Sequence, residues 1–138
     1  MRVVFDAGMV LAGAGWRNES WHCLVLAAKR IALPYATDDT LDELLRVANE
    51  MQEQGAFRRR DPWPVLRWYL SFVRRVPPNP LGKRMSRDLK DDPYLACALA
   101  AQAQFIISRD RDLLALEKPF GIEILTPRAF LSRVAKLF

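Results

Sequence analysis

Residues 88–113 read DLKDDPYLACALAAQAQFIISRDRDL, and the fold turns on them. Asp92-Pro93 is a helix start, with proline at the first helical position, where its missing N–H breaks no bond. The helix then runs over Tyr94–Gln102 and buries Leu95, Ala98 and Leu99. Phe105-Ile106-Ile107 is a short, wholly apolar run that reads as a buried strand. It ends in an acid-rich turn, Ser108-Arg109-Asp110-Arg111-Asp112, followed by a short helix over Leu113–Leu116.

Outward from this stretch the same alternation continues. Gly121 precedes a strand over Ile122–Leu125, and Thr126-Pro127 caps a C-terminal helix reaching about Lys136. Towards the N-terminus, residues 2–6 (RVVFD) form a buried strand that ends in an acid, after which Gly8 and Gly13 loosen the chain. A helix spans residues 18–31, capped by Asn18 or Ser20, and Pro34 breaks it before a short strand over Tyr35–Thr37. A second helix begins near Thr37–Asp39 and runs to about Gln54, because Leu41, Leu44, Leu45 and Ala48 follow the i, i+3, i+4, i+7 rule. Pro62-Trp63-Pro64 opens a third, and Pro77, Pro78 and Pro80 stop it ahead of the aperiodic segment NPLGKRMSR. Strands alternating with helices predict an α/β class protein. The expected architecture is one domain over residues 1–138, a three-layer α/β/α sandwich. Its central sheet is mostly parallel, with four or five short strands, and a helical insertion falls at about 56–90.

Composition bounds the function. A chain of 138 residues, 51% hydrophobic and 27% charged, has the size and balance of a globular domain. No apolar run approaches the ~18 residues of a membrane span. An acid interrupts the first apolar stretch after three residues, so the opening is not a signal peptide, and a cytoplasmic location is expected. Cys23 and Cys97 lie far apart with no metal-binding spacing and read as buried, inert thiols. His22, the single histidine, falls in a helix away from the strand ends. Triads built on a histidine base therefore have no base, and no glycine-rich phosphate loop is present.

The acids are placed where an open parallel sheet gathers its chemistry, at the carboxyl ends of strands. Asp6 ends the first strand, and Asp110 and Asp112 follow a later one. Asp88, Asp91 and Asp92 crowd the start of the helix leading into that later strand, and Glu43 lies early in the second helix. Two carboxylates about 4 Å apart repel by roughly 4 kcal/mol at an effective dielectric near ~20. A divalent cation turns that repulsion into ligation, and oxygen-only ligands favour Mg²⁺ or Mn²⁺. Each acid also has a structural reading. Asp92 is a good N-cap, Thr40-x-x-Glu43 fits a capping box, and Asp110 and Asp112 suit a turn or a cap. Asp6, directly after Val3-Val4-Phe5, has few such jobs.

Taken together, VVFDAGMVL with Asp6, TDDTLDEL with Glu43, DLKDDPYLACA with Asp92 and IISRDRDL with Asp110 resemble the PIN-domain family. Within it the resemblance is to the toxin-like, VapC-type members of toxin–antitoxin pairs. It spans nearly the whole chain, and the closing GIEILTPRAFL resembles the family's final strand and helix. The chain departs from the family at Ala7 and Gly8, where Thr or Ser and then Asn or Ser are usual, and carries Ser108 for Thr. The resemblance implies a metal-dependent endoribonuclease with Asp6, Glu43, Asp92 and Asp110 as catalytic acids. Asp6, Asp92, Asp110 and the supporting Asp112 would be ligands for Mg²⁺ or Mn²⁺. It further implies hydrolysis of RNA to a 5′-phosphate and a 3′-hydroxyl, inhibition by a cognate antitoxin, and dimerisation.

The net charge is +5 and the pI about 9.6. Between residues 56 and 90 ten basic residues face only Asp61 and Asp88, a net charge of +8. Arg58, Arg59, Arg60, Lys83, Arg84 and Arg87 are the candidate nucleic-acid contacts in this strip, since a nuclease must hold phosphate beside its acids. Trp63, Trp68 and Tyr69, interleaved with it, read better as core residues than as base-stacking platforms. Two other readings compete. A haloacid-dehalogenase-like phosphohydrolase also starts with a strand-end Asp, but needs a second Asp where this chain has Gly8. A catalytically weak or inactive RNA- or partner-binding module on a PIN scaffold draws its support from Ala7 and Gly8.

Overall fold

The computed structural model describes residues 1–79 and 92–137. Its centre is β1 (Arg2–Phe5), where Val3, Val4 and Phe5 are all buried. Neighbouring residues of a strand face opposite sides of a sheet, so burial of all three means that both sides are covered. The same holds for β4 (Phe105–Ile107). With β2 (Leu33–Ala36), β3 (Arg74–Arg75) and β5 (Glu123–Leu125) they form a parallel sheet ordered β3-β2-β1-β4-β5. In register, Arg2 pairs with Leu33, Phe5 with Ile107, and Ile107 with Leu125.

Seven α-helices stand among the described residues: α1 (Ala7–Gly15), α2 (Glu19–Ala28), α3 (Asp38–Glu53), α4 (Trp63–Phe72), α5 (Asp92–Ala101), α6 (Arg111–Leu114) and α7 (Pro127–Leu137). Helix α5 packs on β1, β2 and β4, whereas α7 packs on β5 and α2. Helix α1 packs on α2, α3 and α4. The α/β class and the parallel sheet are as the sequence predicts. None of the described helices is long and apolar enough to cross a membrane.

Several local expectations need correction. Gly8 and Gly13 do not loosen the chain; residues 7–15 are helix α1, buried at every position except Gly8. Gly13 is there for proximity, because a Cβ at this position would lie 2.7 Å from Leu24 Cδ1 and 3.0 Å from the Ser20 carbonyl oxygen. Helix α2 ends at Ala28, short of residue 31, and the chain turns through a left-handed Arg30 (φ 62°). Pro34 does not break that helix, which has already ended at Ala28, and is itself a residue of β2. The short helix after β4 starts at Arg111, two residues early, because Asp110 caps it. Strand β3 was not foreseen. It is two exposed arginines followed by Pro77-Pro78, continued by the bond from Val76 N–H to the Ala36 carbonyl (2.9 Å). A short, charged, proline-flanked strand is a safe edge for a sheet.

The strand order sets the place of any chemistry. From β1 the chain builds outwards through β2 to β3, then returns to build β4 and β5 on the other side. The crevice at the carboxyl ends of β1 and β4 is thus the topological switch point. Asp6 leaves β1 there, its N–H bonded to the Ile107 carbonyl of β4 (3.2 Å).

Candidate active site

Asp6 caps α1. Its Oδ1 accepts the Met9 N–H at 2.8 Å, and the Ser108 hydroxyl donates to Oδ2. Only 6% of the residue is exposed. Burial pushes its carboxyl up from 3.8 to about 6, the two hydrogen bonds oppose that rise, and the negative charges of Asp110 and Glu43 add to it. Three acids from three separate elements therefore share one electrostatic neighbourhood.

Ser108, fully buried at the end of β4, ties two of them together. While donating to Asp6 its Oγ accepts the Asp110 N–H at 2.9 Å. Asp110 is exposed and caps α6, taking the N–H groups of Asp112 (2.8 Å) and Leu113 (3.3 Å) on Oδ1. Its capping role and its place beside Asp6 coexist. Asp112 lies in the first turn of α6 and Asp92 is the first residue of α5, both half-buried.

Glu43 is not part of a capping box. Thr37 and Thr40 make that box: Thr37 Oγ1 accepts the Thr40 N–H (3.3 Å), and Thr40 Oγ1 accepts the Thr37 N–H (3.0 Å). Glu43 stands one turn farther on, half-buried, with the Tyr94 hydroxyl donating to Oε2 and an Arg46 guanidinium nitrogen 3.8 Å from Oε1. Tyr94 also accepts the Ala7 N–H at 3.1 Å. The sequence reading passed over Tyr94, which shows there only as one more ring at a helix start.

The donor chemistry, carboxylate oxygens without histidine or thiolate, fits a hard divalent cation. Among the described residues, however, no three histidine, cysteine, aspartate or glutamate side chains stand close enough together to form a ligand group. The acids are neighbours in charge and have not closed on a common point.

The surrounding charges divide into two sets. In the α3–α4 loop, Arg59 is exposed, Arg58 donates to the Gly55 carbonyl (3.1 Å), and Arg60 lies over the Trp21 ring at 5.5 Å. Lys83, Arg84 and Arg87 fall outside the described residues. On the acids' own edge of the sheet, the exposed Arg109 and Arg128 line a pocket of about 260 Å³ with Asn18, Glu19 and Thr126; the sequence reading did not single them out. Tyr69 is fully buried, and Trp63 and Trp68 pack on the core, in line with the reading that set them inside. Cys23 and Cys97 are buried and unbridged, and burial pushes each thiol up to about 12, so neither is a nucleophile near neutral pH. His22 is exposed on α2.

The crystal structure of PAE2754 from Pyrobaculum aerophilum is similar to this chain, with a TM-score of 0.64 and 19% identity. The match covers 99% of this chain and 90% of that one. At that identity the likeness speaks for the fold alone. No curated protein sequence matches. The family model for the PIN domain matches residues 2–112, a span that takes in Asp6, Glu43, Asp92 and Asp110. The chain thus belongs to the PIN-domain family, whose members are generally nucleases that need a divalent metal ion.

Proposed function

We propose that this protein is an endoribonuclease dependent on Mg²⁺ or Mn²⁺ and the toxin component of a toxin–antitoxin pair. In this reading residues 1–138 form one PIN-like domain with a helical insertion at about 56–90. The protein acts in the cytoplasm, is held in check by a cognate antitoxin, and works as a homodimer. The observation that carries the nuclease reading is the position and state of Asp6. It is a buried carboxylate at the switch point of a parallel sheet, made hard to ionise by its burial and by the charges of Glu43 and Asp110.

Each side chain then has a task. Asp6, Asp92 and Asp110 hold the cation, with Asp112 in support. Glu43 orients the attacking water. Ser108 and the Met9 N–H keep the Asp6 carboxylate aimed, one on each oxygen. The ion, when bound, lowers the pKa of water and offsets charge on the phosphate under attack. Exposed arginines hold the RNA backbone against the acids' own repulsion.

The test is cleavage of single-stranded RNA with Mn²⁺ or Mg²⁺, wild type against Asp6→Asn. We expect metal-dependent cleavage by the wild type and a loss of at least about a hundredfold in the variant, the scale of losing an electrostatic catalytic group. Equal rates would end the proposal. A second reading, a binding module without catalysis, is favoured by the open arrangement of the described acids and by Ala7 and Gly8. Calorimetry separates the two, since the module binds RNA but takes up no Mn²⁺.

A further inference from the structure

Glu43 lies on α3, off that helix's apolar face, and a helix leaves a glutamate several rotamers. One contact settles which is used. The Tyr94 ring is 3% exposed, and its hydroxyl oxygen already accepts the Ala7 N–H, the first backbone donor of α1. A phenol has one proton. With the Ala7 N–H directed at the oxygen, that proton is committed to Glu43 Oε2, where the structure places it. The chain Ala7 N–H to Tyr94 O–H to Glu43 Oε2 also runs in one direction, so each bond strengthens the next.

We infer that Tyr94 is a positioning residue. It fixes Glu43 through Oε2, leaves Oε1 to the exposed Arg46 3.8 Å away or to the site's cation or water, and supplies the holding hydroxyl from α5. Ser108 supplies the corresponding hydroxyl to Asp6. The inference rests on the nuclease reading, in which Glu43 works at the metal site.

The test is a double-mutant cycle over wild type, Tyr94→Phe, Glu43→Ala and the double variant. It is followed by Mn²⁺ calorimetry, by initial rates on single-stranded RNA and by thermal melting of the metal-free protein. Tyr94→Phe should lower kcat about tenfold with KM within about twofold, and weaken Mn²⁺ binding several-fold, the scale typical of groups that orient a ligand. In the Glu43→Ala background it should change neither. The melting temperature behaves differently. Ala7 loses its acceptor in either background, so Tyr94→Phe should lower it by similar amounts in both. Wild-type kcat and Mn²⁺ affinity in Tyr94→Phe would overturn the inference, as would losses that multiply in the double variant. If the wild type cleaves no RNA, it is the nuclease reading that fails, and the calorimetric cycle still decides whether Tyr94 acts through Glu43.

Discussion

Asp6 carries two demands that pull against each other: it caps a helix and sits in a place that resists its charge. The fold raises its carboxyl above the unfolded value, so protonation is favoured on folding. The group adds to stability below its ordinary 3.8, and the contribution is lost as pH rises through about 6. The gap corresponds to about 3 kcal/mol. We therefore expect Asp6→Asn to raise the melting temperature of the metal-free protein by several degrees at pH 8 and to change it little at pH 4, as thermal unfolding at both values would report. A variant that melts lower at pH 8 would mean that the bonds from Met9 and Ser108 outweigh the buried charge. This tension was half legible in the sequence. Its place directly after Val-Val-Phe marks Asp6, but the sequence hides that it also caps α1, a structural use that the strand end does not announce. Ser108 and Asp110 were visible as a strand end and its turn. Tyr94 was not, because its meaning lies in contacts to residues 51 and 87 positions away. Nor could the pattern decide which capping box is real. Thr40-x-x-Glu43 is the better match to the motif, and Thr37–Thr40 emerges only because the end of β2 fixes where α3 begins.

Helix α1 is where the sequence misleads at the next scale. AGMVLAGAG has no polar face, so it shows no helical period. A helix enclosed by α2, α3 and α4 needs none, and two of its glycines are contact points where neighbouring groups press in. Strand β3 was hidden for the opposite reason: two arginines make a strand only because β2 lies beside them. An element with a one-sided burial pattern, such as α3, was legible almost to the residue; the start of α4 was too, but it ends at Phe72, before the prolines expected to stop it. The contacts around α1 give its glycines opposite expected behaviour. At Gly8 an added Cβ meets only Asp6 Oδ1, at an ordinary 3.8 Å. Gly8→Ala should therefore stabilise by about 0.5 kcal/mol, through helix propensity alone. At Gly13 the same methyl group must displace the Ser20 backbone at 3.0 Å. Overpacking there outweighs the propensity gain, so Gly13→Ala should destabilise by about 1–3 kcal/mol. Urea unfolding of the two variants checks both signs, and loss of stability at Gly8 would show that α1's first turn is constrained by more than its contacts.

The whole molecule sets neighbouring acids into a chain of net charge +5, and the layout of the remaining charge decides whether the RNA of the proposed function can approach. The acids repel phosphate, so binding before chemistry has to come from arginines. Two sets compete. Arg58 and Arg59 belong to the α3–α4 loop, where Arg58 is already engaged with the Gly55 carbonyl. Arg109 and Arg128 flank Asn18 at the carboxyl ends of β4 and β5, on the edge that carries Asp6 and Asp110. Sharing the acids' edge of the sheet, the second set is the better placed to hold a strand whose scissile phosphate lies at the acids. Each single-stranded phosphate neutralised contributes about −0.7 to the slope of log affinity against log salt. With about four contacts, affinity should fall roughly fiftyfold between ~50 and ~200 mM salt. Fluorescence anisotropy with labelled single-stranded RNA and the Asp6→Asn protein, whose cleavage the proposed function expects to be lost, measures this. Replacing Arg109 and Arg128 by Gln should flatten the slope by about 1.4, the share of two phosphates, and replacing Arg58 and Arg59 should flatten it less. If the loop pair carries the slope instead, RNA reaches the acids across α4. If binding is indifferent to salt, these arginines face something other than a phosphate chain, such as an acidic segment of a protein partner.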